Sequence, residues 1–138
     1  ISGKVVPDFR FVEGIGGVMV PLTEKKTVLN WVQALDYPVI LVVGSYLGSL
    51  NHSLTSAMAL ERSGVEIAGV IVSESTHQPV PMADTIQTLS RFLPHAPILA
   101  LPRLVGGLEA WQEAPDLVTP LFFMAASQTS RQAPPKET

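Results

Sequence analysis

Glu13 stands at the end of an apolar segment, Phe11-Val12, and three glycines follow it within four residues, Gly14, Gly16 and Gly17. This order predicts a buried strand ending in a backbone cradle, after which Val18-Met19-Val20-Pro21-Leu22 continues as apolar chain. In a parallel α/β sheet, ligands bind at the carboxyl ends of the strands, so a carboxylate there is placed to meet a ligand. Glycines lack Cβ, reach positive φ and let peptide N–H groups approach an anion. A carboxylate beside such a cradle suits a Mg²⁺-nucleotide site, since Mg²⁺ takes one or two protein carboxylates together with phosphate oxygens. The same residues also suit a plain turn with a solvated Glu. The dinucleotide fingerprint Gly-x-Gly-x-x-Gly fails, because Met19 occupies the third glycine's place.

A second turn repeats the theme. Gly44-Ser45-Tyr46-Leu47-Gly48-Ser49-Leu50-Asn51-His52 joins the end of an apolar run to the start of a helical pattern. The first N–H groups of a helix lack intrahelical partners and carry partial positive charge, which suits a carboxylate or phosphate. Ser49 or Asn51 could equally serve as a helix cap. His52 has no histidine or cysteine at ligand spacing and reads as a hydrogen-bonding residue at the helix start rather than a metal ligand. His77 and His95 stand alone in loops and receive no role, and no catalytic residue is assigned.

The elements that must position these turns alternate between two periods. Thr27 to Leu35 reads as a short helix capped by Thr27, with Val28, Trp31, Val32 and Leu35 at helical spacing and Pro38 beyond its end. Val39-Ile40-Leu41-Val42-Val43 is an uninterrupted aliphatic run, the signature of a strand covered on both faces. Asn51 to Arg62 reads as a helix with Leu54, Met58 and Glu61 on successive turns and Gly64 as its stop. Val65 to Val72 is a strand, Ser73 to Pro81 a polar loop, Met82 to Leu93 a helix facing inward through Ile86, Leu89 and Leu93, and Ile98 to Leu101 a short strand. Leu108 to Trp111 reads as a helical turn and Leu117 to Ala126 as a short helix. The alternation predicts one α/β domain over residues 1–127, with a parallel sheet of about four strands and helices on both faces. Residues 128–138, which contain Pro134-Pro135, read as a disordered tail.

The composition agrees with a packed core: 138 residues, 46% hydrophobic and 15% charged. A formal charge of −3 without a cluster of Lys and Arg among aromatics argues against nucleic acid. No apolar run is long enough to span a bilayer and Ile1-Ser2-Gly3-Lys4 has no signal-peptide pattern, so the expectation is a cytoplasmic chain with no membrane partner. With no cysteine, disulfides, thiol catalysis and thiolate metal sites are excluded.

Taken together, Val12-Glu13-Gly14-Ile15-Gly16-Gly17, Val20-Pro21-Leu22, Pro38 to Gly44, Leu47 to His52 and Ala68-Gly69-Val70 resemble dethiobiotin synthetase, from about Phe9 to Glu109. The resemblance implies a three-layer P-loop NTPase-like fold, a cytoplasmic homodimer and ATP- and Mg²⁺-dependent closure of 7,8-diaminononanoate and CO₂ into the ureido ring of dethiobiotin. It implies that Glu13 binds Mg²⁺ and that Gly14, Ile15 and Gly16 form the adjoining nucleotide-binding turn. Gly48, Ser49, Leu50 and Asn51 match the helix start that receives the carboxylate of the diamine. Ser73-Glu74 falls where the family often has Asn-Asp near adenine, and a Ser hydroxyl replaces the two-sided amide of Asn. Pro102, Arg103, Leu104 and Glu109 match later nucleotide-lining positions.

One family feature is missing from the sequence. Nothing matches the Gly-x-x-x-x-Gly-Lys-Thr loop whose N–H groups and lysine hold phosphates, and Gly3-Lys4 lacks the upstream glycine. The expectation is an incomplete chain, the carboxyl-terminal half of such an enzyme or a truncated copy, with a missing P-loop half among its candidate partners. Two other readings stand beside it: a non-catalytic dimerisation or binding module derived from the same fold, and an amidoligase or partition ATPase of the cobyrinate-synthase kind.

Overall fold

The computed structural model describes residues 11–121. In chain order the elements are α1 (Val28–Leu35), β1 (Val39–Gly44), α2 (Ser49–Arg62), β2 (Ile67–Ser73), α3 (Met82–Phe92) and β3 (Ile98–Leu101), followed by a 3-10 turn at Ala110–Glu113. The strands form a parallel sheet in the order β1-β2-β3. The α/β alternation expected from the sequence is therefore the observed architecture.

Leu41 aligns with Val70 and Val70 with Ile98, whereas Val42 aligns with Ile71 and Ile71 with Leu99. Side chains alternate along a strand, so these two rows lie on opposite faces of the sheet. Right-handed crossovers between consecutive strands place α2 and α3 on the same face. The packing agrees: Ala57 and Leu60 of α2, Val70 of β2 and Leu93 at the end of α3 form one cluster, against which Leu29 and Val32 of α1 also pack. Fully burying a side chain such as Leu60 or Leu89 contributes about 2 kcal/mol.

The sequence reading anticipated about four strands and helices on both faces. Among the described residues the sheet has three strands, and α1, α2 and α3 share one face. The other face meets Leu121, which is 6% exposed and belongs to a helical turn opening at Val118. A Cβ at Gly69 would run into Leu121 Cδ2 and lie 3.2 Å from Pro97 Cγ, so the missing side chain is what lets this segment approach the sheet. Val42, on the same face, remains 62% exposed.

Residues 11–14 form no strand, which corrects the expected opening strand. A strand needs an edge to pair with and a surface to bury against, and Phe11, 73% exposed, has neither among the described residues. From Gly17 onward the segment is tied down by turns. Val20 N–H donates to Gly17 O at 3.1 Å, and Leu22 N–H to Lys26 O at 2.7 Å. Leu29 N–H and Val28 N–H, at the start of α1, donate to Val18 O and Val20 O.

Helix boundaries follow the local chemistry. Thr27 caps α1 as expected, its N–H held by Asn30 Oδ1 at 2.9 Å. At the end of α2, Gly64 N–H donates to Glu61 O and Val65 N–H to Leu60 O, with Gly64 at φ 73, the double bond of a Schellman stop. The start of α2 differs from the expected Asn51: Ser49 is already helical and Gly48 is the cap. The buried stripe of α2 is also not the expected one. It consists of Ser49, Ser53, Ala57 and Leu60, with Met58 exposed. Small side chains allow close approach to the strands, and Ser53 Oγ–H satisfies itself on Ser49 O at 2.6 Å.

The helical turn expected at Leu108–Trp111 appears slightly later, as the exposed 3-10 turn. The short helix expected over Leu117 to Ala126 begins at Val118, and its further course lies outside the described residues, as does the expected tail at 128–138.

Candidate functional site

The three strands end at Gly44, Ser73 and Leu101, and the loops leaving them meet in one polar assembly. Ser45 N–H donates to Ser75 Oγ at 3.0 Å, and Ser75 N–H returns a bond to Ser45 Oγ at 2.9 Å. Ser45 Oγ–H donates to Gln78 Oε1 at 2.9 Å, and Gln78 Nε2 donates to Glu74 Oε1 at 2.9 Å. The other carboxylate oxygen, Glu74 Oε2, accepts the Arg103 N–H at 2.8 Å. The chain of bonds thus runs from the β1–α2 loop, through the β2–α3 loop, to the segment after β3. Ser45 is 2% exposed, and its polar atoms are all partnered, as burial requires. Gly44 makes room for the assembly, because a Cβ there would stand 2.7 Å from the Tyr46 ring and 3.0 Å from Ser75 Oγ.

Above this floor lies an open cleft of about 600 Å³, lined among others by Gly44, Tyr46, Ser73, Glu74, His77 and Arg103. Its position, outside the carboxyl ends of parallel strands, is the place where open α/β sheets take ligands. Three residues implied by the resemblance, Ser73, Glu74 and Arg103, are brought together here from two separate loops. Pro102 and Leu104 flank Arg103 without lining the cleft. Glu109 is exposed just before the 3-10 turn and does not line it either.

Gly48, Ser49, Leu50 and Asn51 open α2 on the same rim. Gly48 takes φ 91, a conformation that favours glycine, and leaves the helix mouth without a side-chain cap. Neither Ser49 nor Asn51 fills that role, so the first amides of the helix are not occupied by a capping oxygen. Ser49 is buried under the helix while Asn51 is exposed. The Tyr46 hydroxyl bonds His52 Nδ1 at 2.9 Å across the mouth, with ring centroids 5.8 Å apart. His52 is thus a hydrogen-bonding residue at the helix start, as its isolation in sequence implied.

The Glu13 turn reaches the same rim by way of α1. Gln33, late in α1, donates to Ser63 O beyond α2 at 3.1 Å, which sets the end of α1 at the amino rim and its first turn toward the carboxyl rim. A Cβ on Gly14 would lie 3.6 Å from Val28 Cγ1 and 3.5 Å from Trp31 Cζ3, so the turn rests on that first stretch of helix. Gly16 has φ 98, and a Cβ there would meet Val20 Cγ2 at 2.7 Å. Glu13 and Ile15 point into solvent, Ile15 at 88% exposure. None of Glu13, Gly14, Ile15 and Gly16 lines the cleft itself.

One exposed carboxylate beside a glycine turn fits Mg²⁺ held mainly by phosphate oxygens and water. No group of three or more His, Cys, Asp or Glu that could hold a metal by itself occurs among the described residues. Among the described residues no helix is long and apolar enough to cross a membrane.

Sequence reasoning missed Ser45, Ser75 and Gln78. Their role is set by pairings 30 and 33 residues apart in the chain, and no local spacing announces such pairs.

A strand-terminal cleft, a glycine turn with an acidic neighbour and an uncapped helix mouth lie on one rim of an α/β domain of the P-loop NTPase-like class. A family model described as an AAA domain matches residues 4–106, and the chain belongs to that family. Curated relatives of the chain include dethiobiotin synthetases, in agreement with the resemblance read from the sequence. The chain is 48% identical over 92 residues to the ATP-dependent dethiobiotin synthetase BioD of Caulobacter sp. (strain K31), covering 67% of this chain and 40% of the relative. It is 41% identical over 108 residues to that of Phenylobacterium zucineum (strain HLK1), covering 78% and 45%, and 36% identical over 102 residues to that of Yersinia pestis bv. Antiqua (strain Angola), covering 74% and 42%. The chain thus spans about two-fifths of the length of the curated relatives it matches.

Proposed function

We propose that this chain carries part of the active site of an ATP-dependent dethiobiotin synthetase, which forms a cyclic urea from 7,8-diaminononanoate and CO₂ with ATP as the energy source. The observation that supports it most is the meeting of Ser73, Glu74 and Arg103 at one cleft, because the resemblance by itself implies a nucleotide-lining place for all three.

In this reading Glu13 holds Mg²⁺, which would supply positive charge to the phosphates, and Gly14, Ile15 and Gly16 line the adjoining nucleotide turn. Ser73, Glu74, Pro102, Arg103, Leu104 and Glu109 border the base and ribose. Gly48, Ser49, Leu50 and Asn51 receive the carboxylate of the diamine, whose negative charge suits a helix N-terminus. The protein acts as a cytoplasmic homodimer, and residues 1–127 form one domain. Because the Glu13 turn brings no phosphate-binding lysine, the affinity of this chain for Mg-ATP by itself is weak.

The test is formation of dethiobiotin from 7,8-diaminononanoate, bicarbonate and Mg-ATP by the protein as the cell makes it, with and without Glu13→Gln. Removing one electrostatic contact to the reacting phosphates should lower kcat by at least about 100-fold while the fold survives. Full activity of Glu13→Gln would remove the metal assignment, and absence of product from the unmodified protein would remove the ligase reading. Exposed Leu47, Val105, Leu108 and Trp111 favour a second reading, a non-catalytic dimerisation module. A stable dimer by sedimentation that never hydrolyses ATP would select it.

A further inference from the structure

Arg103 is exposed and lines the cleft, and among the described residues no ion pair of its side chain with an acidic group is found; its backbone is held through the N–H given to Glu74 Oε2. Glu74 in turn has its second oxygen occupied by Gln78, and Gln78 is oriented by the buried Ser45 hydroxyl. The polarity of this relay is fully determined. Ser45 donates, the Gln78 carbonyl oxygen accepts, the Gln78 amide donates and the carboxylate accepts twice. A carboxylate is the one group that accepts from both neighbours at once at that position.

From this we propose that Glu74 and Gln78 are positioning residues: they clamp the backbone of Arg103 so that its guanidinium stays presented to the cleft and available to the ligand. The proposal rests on the nucleotide reading for the identity of that ligand and refines it. The Glu74 side chain serves the protein, and contact with the nucleotide at this corner falls to Ser73 and Arg103. A direct ion pair between Glu74 and the guanidinium would have neutralised the charge that Arg103 brings to this corner. Holding the peptide N–H instead fixes the residue without consuming its charge.

The relay makes a specific demand on substitutions. Glu74→Gln puts an amide NH₂ against either the Arg103 N–H or the Gln78 NH₂, so one donor is left facing another donor. Gln78→Glu alone sets two carboxylates against each other. The exchange of both, Glu74→Gln with Gln78→Glu, restores every bond: Ser45 donates to Glu at 78, Gln at 74 donates to the same carboxylate, and its carbonyl oxygen accepts the Arg103 N–H. A role in bulk or shape alone would not distinguish the exchange from the single variants.

Amide hydrogen exchange by NMR on the full chain reads the clamp at Arg103 directly, with core amides such as Val70 and Val72 as the control for folding. Each single variant should speed Arg103 exchange by about tenfold relative to the core, as loss of one charge-assisted bond implies, and the double exchange should return it to near the original rate. Gln78→Ala provides a further variant that introduces no new charge and should behave as the single variants do. Unchanged Arg103 protection in Glu74→Gln, or no recovery in the double exchange, overturns the proposal. Titration with ATP separates the two readings. If Arg103 protection follows the predicted pattern while ATP shifts neither the Ser73 nor the Arg103 resonances, the clamp is supported and the nucleotide assignment fails.

Discussion

Two parts of the carboxyl rim are built in opposite ways. The loops after β1, β2 and β3 are tied to one another by four hydrogen bonds involving Ser45, Ser75, Gln78, Glu74 and Arg103, with a fifth, from Gln78 to Glu74, inside the loop after β2. The Glu13 turn rests on α1 through Gly14, but Phe11 and Ile15 project into solvent and Glu13 is exposed. The difference teaches that a ligand site need not be equally preorganised across its width. Under the proposed function, the corner given to the base is held by hydrogen bonds among the chain's own residues, while the corner given to metal and phosphate is exposed and has room for partners.

That contrast can be broken most forcefully at the support of the rigid corner. Leu60→Ala removes a fully buried side chain at the centre of the cluster joining α2 to β2 and should lower stability by about 3 kcal/mol, measured as a drop in the urea midpoint. Next in size is Gly48→Val. Nothing lies nearer to a Cβ there than His52 Cε1 at 3.9 Å, so its cost of about 1–2 kcal/mol by thermal denaturation would come from the positive φ alone.

Asp116 sharpens the comparison away from the site. Its carboxyl is held below its ordinary pKa, first by a hydrogen bond from the Thr119 side chain and then by backbone N–H groups at the opening of the last helical turn, against a small opposing effect of desolvation. A carboxylate with a lowered folded pKa stabilises above its unfolded value and loses that contribution as pH falls through the folded one. Asp116→Ala should therefore lower Tm slightly at neutral pH and no longer do so in strong acid; a constant difference at all pH values would contradict the cap. The smallest effect belongs to the loose corner. Ile15→Ser should leave stability within about 0.5 kcal/mol, since the side chain is exposed; a larger loss in the urea midpoint would show that the turn is packed in solution.

Much of this was legible in the residues. The aliphatic run Val39 to Val43, the stop at Gly64 and the bounded strand Ile98 to Leu101 were read nearly at their observed limits, because each depends on local propensity or a local turn. The two glycine turns were also recognisable as candidate ligand positions. The opening strand was misread because Phe11 and Val12 have strand-like side chains but no neighbouring edge among the described residues. The buried face of α2 was misread because Ser49 and Ser53 are polar by type; what buries them is the closeness of the sheet, which sequence periodicity does not report.

The order of strands and helices, and Glu13 with its glycine turn as a place to look, came from the chain alone, since apolar period and glycine position act over a few residues; Ser73 and Arg103 were implied by the resemblance. The meeting of Ser73 and Arg103 at one cleft was decided by the tertiary fold. Parallel pairing brings Gly44, Ser73 and Leu101 to one rim, and only there can Ser45, Gln78 and Glu74, distant along the chain, pass hydrogen bonds from loop to loop and hold Arg103 at the cleft.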